Sequence, residues 1–236
     1  METIDRLVNK SLTEIQELST SQAPKKPRGT PPSLAVDLMA PFLTRYRPNV
    51  DQHPELMLMH QEALNFCTDL QSREKPRWLS LVGPSGTGKT MLAKAIKMFV
   101  AQQGCLYRFG KWADAPVMRH AVYFASWIAM VQEMKSGNFG SVELLCEKEI
   151  KPNGREDATY WFEVIDDIGQ LEDTMKGYLL GALSRIADAR MGKWTVWTAN
   201  ISLEQIAERL DDRIASRMIR DGNIVVENHC IDFNLR

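Results

Sequence analysis

The run Trp78-Leu79-Ser80-Leu81-Val82 leads directly into Gly83-Pro84-Ser85-Gly86-Thr87-Gly88-Lys89-Thr90, and the helical pattern MLAKAIKMFV follows at once. No other feature of the chain constrains its fold as strongly. A short apolar run, a glycine-rich loop and an apolar-periodic segment read as strand, loop and helix. The loop matches GxxxxGK[ST] in the setting that this pattern requires. Its glycines let backbone N–H groups turn inward around phosphate oxygens, and the helix adds its positive amino-terminal end. Lys89 is expected to reach the β- and γ-phosphates, and the Thr90 hydroxyl to coordinate Mg2+. A chance match is on the order of one per cent for average composition, and the strand–loop–helix setting lowers it. The segment is therefore expected to bind a nucleoside triphosphate.

Around this loop, helical and strand patterns alternate. Strands are expected at 78–82, 121–126, 160–165, 194–199 and 223–227, with helices at about 89–103, 127–135, 141–149, 173–190 and 203–218. Short apolar strands separated by helices predict an α/β fold, a parallel sheet covered on both faces. A further helix from Pro54 puts Leu56, Met59, Ala63, Phe66, Cys67 and Leu70 on one face. At 236 residues and 44% hydrophobic, the chain can bury a core without disulfide or metal staples. Cys67, Cys105, Cys146 and Cys230 form no CxxC pair and read as reduced, mostly buried thiols. With His53, His60, His120 and His229 they give no zinc-ligand spacing.

A few polar residues fall at the expected ends of strands. YWFEVIDDIG delivers Asp166 and Asp167 to the carboxyl end of a strand, where the phosphates of a parallel sheet sit. Asp166 would support Mg2+, and Asp167 would orient the attacking water. Paired acids after a strand can also be a helix cap or turn. Glu163 is anomalous, a carboxylate inside a strand that should be buried, and it needs a structural partner or an exposed strand start. Asn200 ends WTVWTAN, where its amide is either a turn residue or a reporter of the γ-phosphate. Arg213 and Arg217 are spaced i, i+4. They form either a solvated face or arginines presented to a neighbouring subunit's γ-phosphate.

Residues 4–18 carry an apolar stripe, and SQAPKKPRGTPPS at 21–33 reads as a semi-extended tether. The expected division is a helical arm at 1–20 that either folds back on the body or docks on a partner, a Pro-rich basic linker at 21–33 and an ATPase core at 34–236 with a helical lead-in. The 29 basic and 30 acidic residues leave a formal charge of −1, which argues against coating nucleic acid by bulk charge. A local groove is still open: Arg108, Lys111, Trp112 and Arg119 combine basic groups with an aromatic ring, as single-strand binding requires. A solvated loop is the plainer reading of them. No apolar run of about 18 residues is present, and the amino terminus lacks a secretory h-region, so a soluble cytoplasmic protein without a membrane span is expected.

Taken together, GPSGTGKT, VIDDIG, WTAN and ERLDDRIASRM resemble the AAA+ ATPases of the bacterial helicase-loader group, the DnaC-type loaders and the related IstB-type transposition ATPases. The resemblance covers roughly residues 45–236. It implies a sheet of order 5-1-4-3-2, ATP with Mg2+, and ATP-dependent self-association in a ring or spiral with sites shared between subunits. In that likeness Gly83, Pro84, Ser85, Gly86, Thr87, Gly88, Lys89 and Thr90 form the Walker A loop. Asp166 serves the magnesium, Asp167 activates water, and Asn200 is sensor 1. Arg217 is the arginine finger and Arg213 a neighbouring interface arginine. Most AAA+ proteins carry Glu at the second acid, so Asp167 implies slow or switch-like hydrolysis. With IVVENHCIDFNLR at and just past the fifth strand, the resemblance implies a core expected to lack the usual helical lid, as in this subgroup.

Three functions follow as expectations. The first is an ATPase that loads the replicative helicase onto single-stranded DNA during replication initiation. The second is a transposition helper that binds DNA and recruits a transposase. The third, a small-molecule P-loop kinase, fits Asn200 and the arginine pair poorly.

Overall fold

A computed structural model describes residues 54–72, 74–102, 106–107, 116–117, 122–146, 162–169 and 175–230. The arm at 1–20, the linker, the lead-in to residue 53 and most of the basic segment 108–120 lie outside these. The elements are α1 (Pro54–Gln71), β1 (Trp78–Val82), α2 (Lys89–Gln102), β2 (Leu106–Tyr107), β3 (Pro116–Val117), β4 (Val122–Ser126), α3 (Trp127–Lys135) and α4 (Gly140–Cys146). They continue with β5 (Phe162–Ile168), α5 (Lys176–Arg190), β6 (Trp194–Ala199), α6 (Leu203–Arg209), α7 (Asp212–Ile219) and β7 (Ile224–Glu227).

Five strands form one parallel sheet in the order β4-β5-β6-β1-β7, while β2 and β3 pair separately as an antiparallel ribbon. Counting only the strands of the large sheet, this is the expected order 5-1-4-3-2. The central β1 and β6 are buried along their whole length because helices cover both faces. On one face α1 and α2 pack Met59, Phe66, Leu92, Ile96 and Phe99 against Leu79, Leu81, Val164 and Val196. The α1 stripe read from the sequence is the face that is buried there, and Phe66 meets Trp194 edge-on at 5.1 Å between ring centres. On the other face α3, α5, α6 and α7 cover Trp78, Val82, Ile165 and Trp197.

Two expectations need correction. The single helix at 203–218 is two helices, broken at Leu210 and Asp211. Asp211 has an extended backbone, φ −166°, and its carboxylate accepts the N–H of Arg213 at 2.7 Å, so it caps a new helix. The preceding α6 starts as read, at a capping box formed by Ser202 and Gln205. The strand placed at 160–165 reaches Ile168, and both acids lie inside it. It can run on past Ile165 because the pairing with β6 shifts between Ile165 and Ile168, a bulge that takes up one extra residue.

Glu163 is a buried strand residue, 1% exposed, and its partner is Arg190 at the end of α5, 2.9 Å away and equally buried. Arg190 also donates to the Thr195 hydroxyl at 3.1 Å and the Trp194 carbonyl at 3.1 Å, while its own carbonyl accepts the Trp78 indole N–H at 2.9 Å. This network fixes the end of α5 to the beginnings of β1, β5 and β6. Burial raises the Glu163 carboxyl to about 7 even against the opposing pull of the Arg190 guanidinium. The pair thus orients elements more than it adds net stability. Removing one partner is a different matter. Glu163→Ala leaves a buried guanidinium uncompensated and should cost about 3 kcal/mol in urea unfolding. Combining Glu163→Leu with Arg190→Met should recover most of that loss.

Candidate active site at the carboxyl edge of the sheet

The loop that leaves β1 is set by backbone contacts. The Gly83 N–H donates to the Ile201 carbonyl at 3.2 Å, and the Asn228 N–H donates to the Val82 carbonyl at 2.9 Å. The chain thus departs between the ends of β6 and β7. Gly83 has φ +125°, and a Cβ there would lie 1.9 Å from the Asn228 carbonyl oxygen. Gly86 and Gly88 also take positive φ, +74° and +87°. These three turns let the loop wind back toward the first turn of α2. Lys89 is buried, and its ammonium donates to the Gly83 carbonyl at 2.9 Å, the Pro84 carbonyl at 2.5 Å and the Thr87 hydroxyl at 3.3 Å. Pro84 and Ser85 are exposed at the loop's tip, and Thr87 is buried beneath it.

The paired carboxylates at the end of β5, Asp166 and Asp167, meet this loop. The Thr90 hydroxyl donates to Asp166 Oδ1 at 2.9 Å, joining the start of α2 to the end of β5. The Thr198 hydroxyl, from β6, donates to the same oxygen at 2.7 Å. Asp167 sits in the bulge with φ +64°, a left-handed backbone, and its N–H donates to Thr198 Oγ1 at 2.8 Å. Its carboxylate accepts the Asn200 amide N–H. Burial and the Asp166 charge push the Asp167 carboxyl up, while Lys89 and the Asn200 hydrogen bond pull it down. The structure therefore brings Lys89, Thr90, Asp166, Asp167 and Asn200 together at one sheet edge.

Arg213 and Arg217 stand elsewhere. Both lie on α7, with Arg213 exposed and Arg217 paired to Asp188 of α5 at 2.5 Å. The Arg217 carbonyl accepts the Asn223 amide at 2.6 Å, and Asn223 in turn accepts the N–H of Trp78, the first residue of β1, at 2.7 Å. Arg217 is thus tied to the beginning of the strand whose end carries the phosphate loop, and β1 alone separates those ends by about 13 Å. The residue that sequence reasoning missed is Thr198. Its only signal was a polar residue one turn of the strand before Asn200, in a strand otherwise made of apolar side chains and one other threonine.

No family model and no curated protein matches the chain. Among solved structures it is similar to that of DnaI, with a TM-score of 0.51 and 19% identity over 73% of this chain and 83% of that one. A DnaC helicase loader structure matches at a TM-score of 0.47 and 20% identity, over 72% of this chain and 89% of that one. DnaA bound to AMPPCP and single-stranded DNA matches at 0.46 and 17%, over 72% and 46%. The chain has the AAA+ fold. The DnaI likeness supports that statement together with the strand order, and at this identity it speaks to the fold alone.

The two outer glycines of the loop should respond differently to alanine. Gly83→Ala drives a Cβ into backbone and should prevent folding or lower the melting temperature severely. Gly88→Ala meets nothing within 4 Å, so it carries only the strain of its positive φ, about 1–3 kcal/mol. Thermal melts of the two variants check this.

Proposed function

We propose that this chain is an ATP-binding and ATP-hydrolysing AAA+ protein that loads a replicative helicase onto single-stranded DNA at replication initiation. The observation that carries the ATPase reading is the meeting of the loop's Lys89 and Thr90 with Asp166, Asp167 and Asn200 at one edge of the sheet. The helicase-loading part rests on the resemblance of GPSGTGKT, VIDDIG, WTAN and ERLDDRIASRM to the loader group.

The residues present fit Mg2+. Thr90 Oγ1 and Asp166 Oδ1 are adjacent oxygen donors beside the phosphate loop, the hard ligands this ion takes while keeping several waters. Bound there, the metal would neutralise charge on the phosphate oxygens. The loop's backbone N–H groups and Lys89 would bind the β- and γ-phosphates of ATP. Asp167 would orient and polarise the attacking water, and Asn200 would hold that carboxylate in place. Its single methylene fits slow, switch-like turnover.

Arg217 acts in trans in this reading. Its tie to the opposite end of β1 supports that, because it is remote from the phosphate loop of its own protomer. Arg213 would stand beside it at the same interface. Residues 1–20 would form the arm that docks the helicase, on the tether at 21–33, with the core at 34–236.

Two experiments test the proposal. Neither Lys89→Ala nor Arg217→Ala protein should hydrolyse ATP appreciably, whereas a mixture of the two should regain activity through composite sites. No rescue at any mixing ratio, with both proteins folded, would count against the shared site. Affinity capture with the full chain and ATP should recover the replicative helicase, and deletion of residues 1–20 should abolish that recovery. Recovery of a transposase without the helicase would overturn the loader reading in favour of a transposition helper.

A further inference from the structure

Thr198 touches both Asp166 and Asp167 through a single atom. Its hydroxyl has one proton to give and lone pairs to accept with. The proton goes to Asp166 Oδ1 at 2.7 Å, and a lone pair takes the Asp167 N–H at 2.8 Å. Both partners lie in the bulge, where β5 has one residue more than β6 between the pairs Ile165–Trp197 and Ile168–Ala199. Thr198 is the β6 residue opposite that excess. It is 1% exposed, so bulk water cannot take over either hydrogen bond.

Asp167 takes a left-handed backbone, φ +64°, a conformation uncommon for residues other than glycine and unusual inside a strand. The Asp167 N–H is fixed by Thr198 and its carboxylate by Asn200, two residues along the same strand. Asp166 is held in the same manner by two hydroxyls, one from the phosphate loop's helix and one from β6. A threonine that merely filled β6 would need neither contact, and Thr195 on the same strand contacts neither acid.

We propose that Thr198 is the positioning residue of the carboxylate pair: its hydroxyl holds Asp167 in the left-handed bulge while aiming Asp166 at Thr90. It transmits the position of β6, and with it of Asn200, to both acids at once. This rests on the ATPase reading above.

Thr198→Val keeps the shape and the β-branched carbon of threonine and removes only the hydroxyl. The full-length variant should fold, with a melting temperature lowered by several degrees because two buried hydrogen bonds are lost. Its kcat for ATP hydrolysis should fall on the order of ten- to a hundredfold, with KM for ATP within about threefold, as for misplaced catalytic groups in an intact binding site. Thr198→Ser restores the hydroxyl and should bring kcat back to within about threefold of the parent. An unchanged kcat in Thr198→Val would overturn the proposal, as would equal losses in the valine and serine variants. If the parent protein hydrolyses no ATP, the ATPase reading fails and the positioning role is still read from binding. The Mg2+ concentration needed for half-maximal binding of a fluorescent ATP analogue should then rise at least about tenfold in Thr198→Val and not in Thr198→Ser. The same Mg2+ requirement in all three proteins would overturn it.

Discussion

The chain leaves β1 through a gap only backbone can occupy. Gly83 passes so close to the Asn228 carbonyl that a methyl group would overlap it, and its N–H is taken by Ile201 beyond the end of β6. Val82 is gripped from the other side by the N–H of Asn228. The loop therefore starts from a point fixed by three strands, and only then do Gly86 and Gly88 turn it back on α2. The distance from Thr90 to Asp166 depends on that start. Because α2 is packed through Leu92, Ile96 and Phe99 onto the sheet, the helix cannot slide to compensate.

A second constraint acts at the neighbouring strands. The bulge in β5 shifts the register by one residue, and the pattern of apolar side chains alone cannot show this. A straight strand would put Asp166 and Asp167 on opposite faces of the sheet. With one residue left-handed, Asp166 points to Thr90 and Thr198 while Asp167 reaches Asn200. Two adjacent acids thus acquire distinct surroundings from a single backbone irregularity. Burial and the charge of Asp166 push the Asp167 carboxyl up.

How far the molecule can be read from its sequence follows from which forces are local. The phosphate loop is legible because glycine, lysine and hydroxyl positions are set by short-range backbone geometry and chemistry. The sheet order follows from the resemblance those motifs carry. The α1 stripe from Leu56 to Leu70 is legible because one helical face must be dry. Glu163 signals its own partner by being too polar for its place, but only the folded chain shows that the partner is Arg190. The break between α6 and α7 escapes because Leu210 and Ile214 continue the apolar period through it, while Asp211 interrupts the backbone and not the pattern. Thr198 escapes because a threonine in a strand is ordinary until the residues opposite it are known to form a bulge.

The sheet also dictates where the arginines can act. All five strands of the large sheet run the same way, so strand beginnings and strand ends form two separate edges. The carboxylates, Asn200 and the phosphate loop occupy the edge of strand ends. Arg217 is linked through Asn223 to Trp78, and its partner Asp188 lies two residues before Arg190, which belongs to the edge of strand beginnings. A side chain extends several ångströms and cannot cross the length of β1. An arginine fixed at one edge can serve a site at the other only when a second copy brings the two edges together. The proposed role of Arg217 in ATP hydrolysis is consistent with that separation, because it places the arginine across an interface from the site it serves.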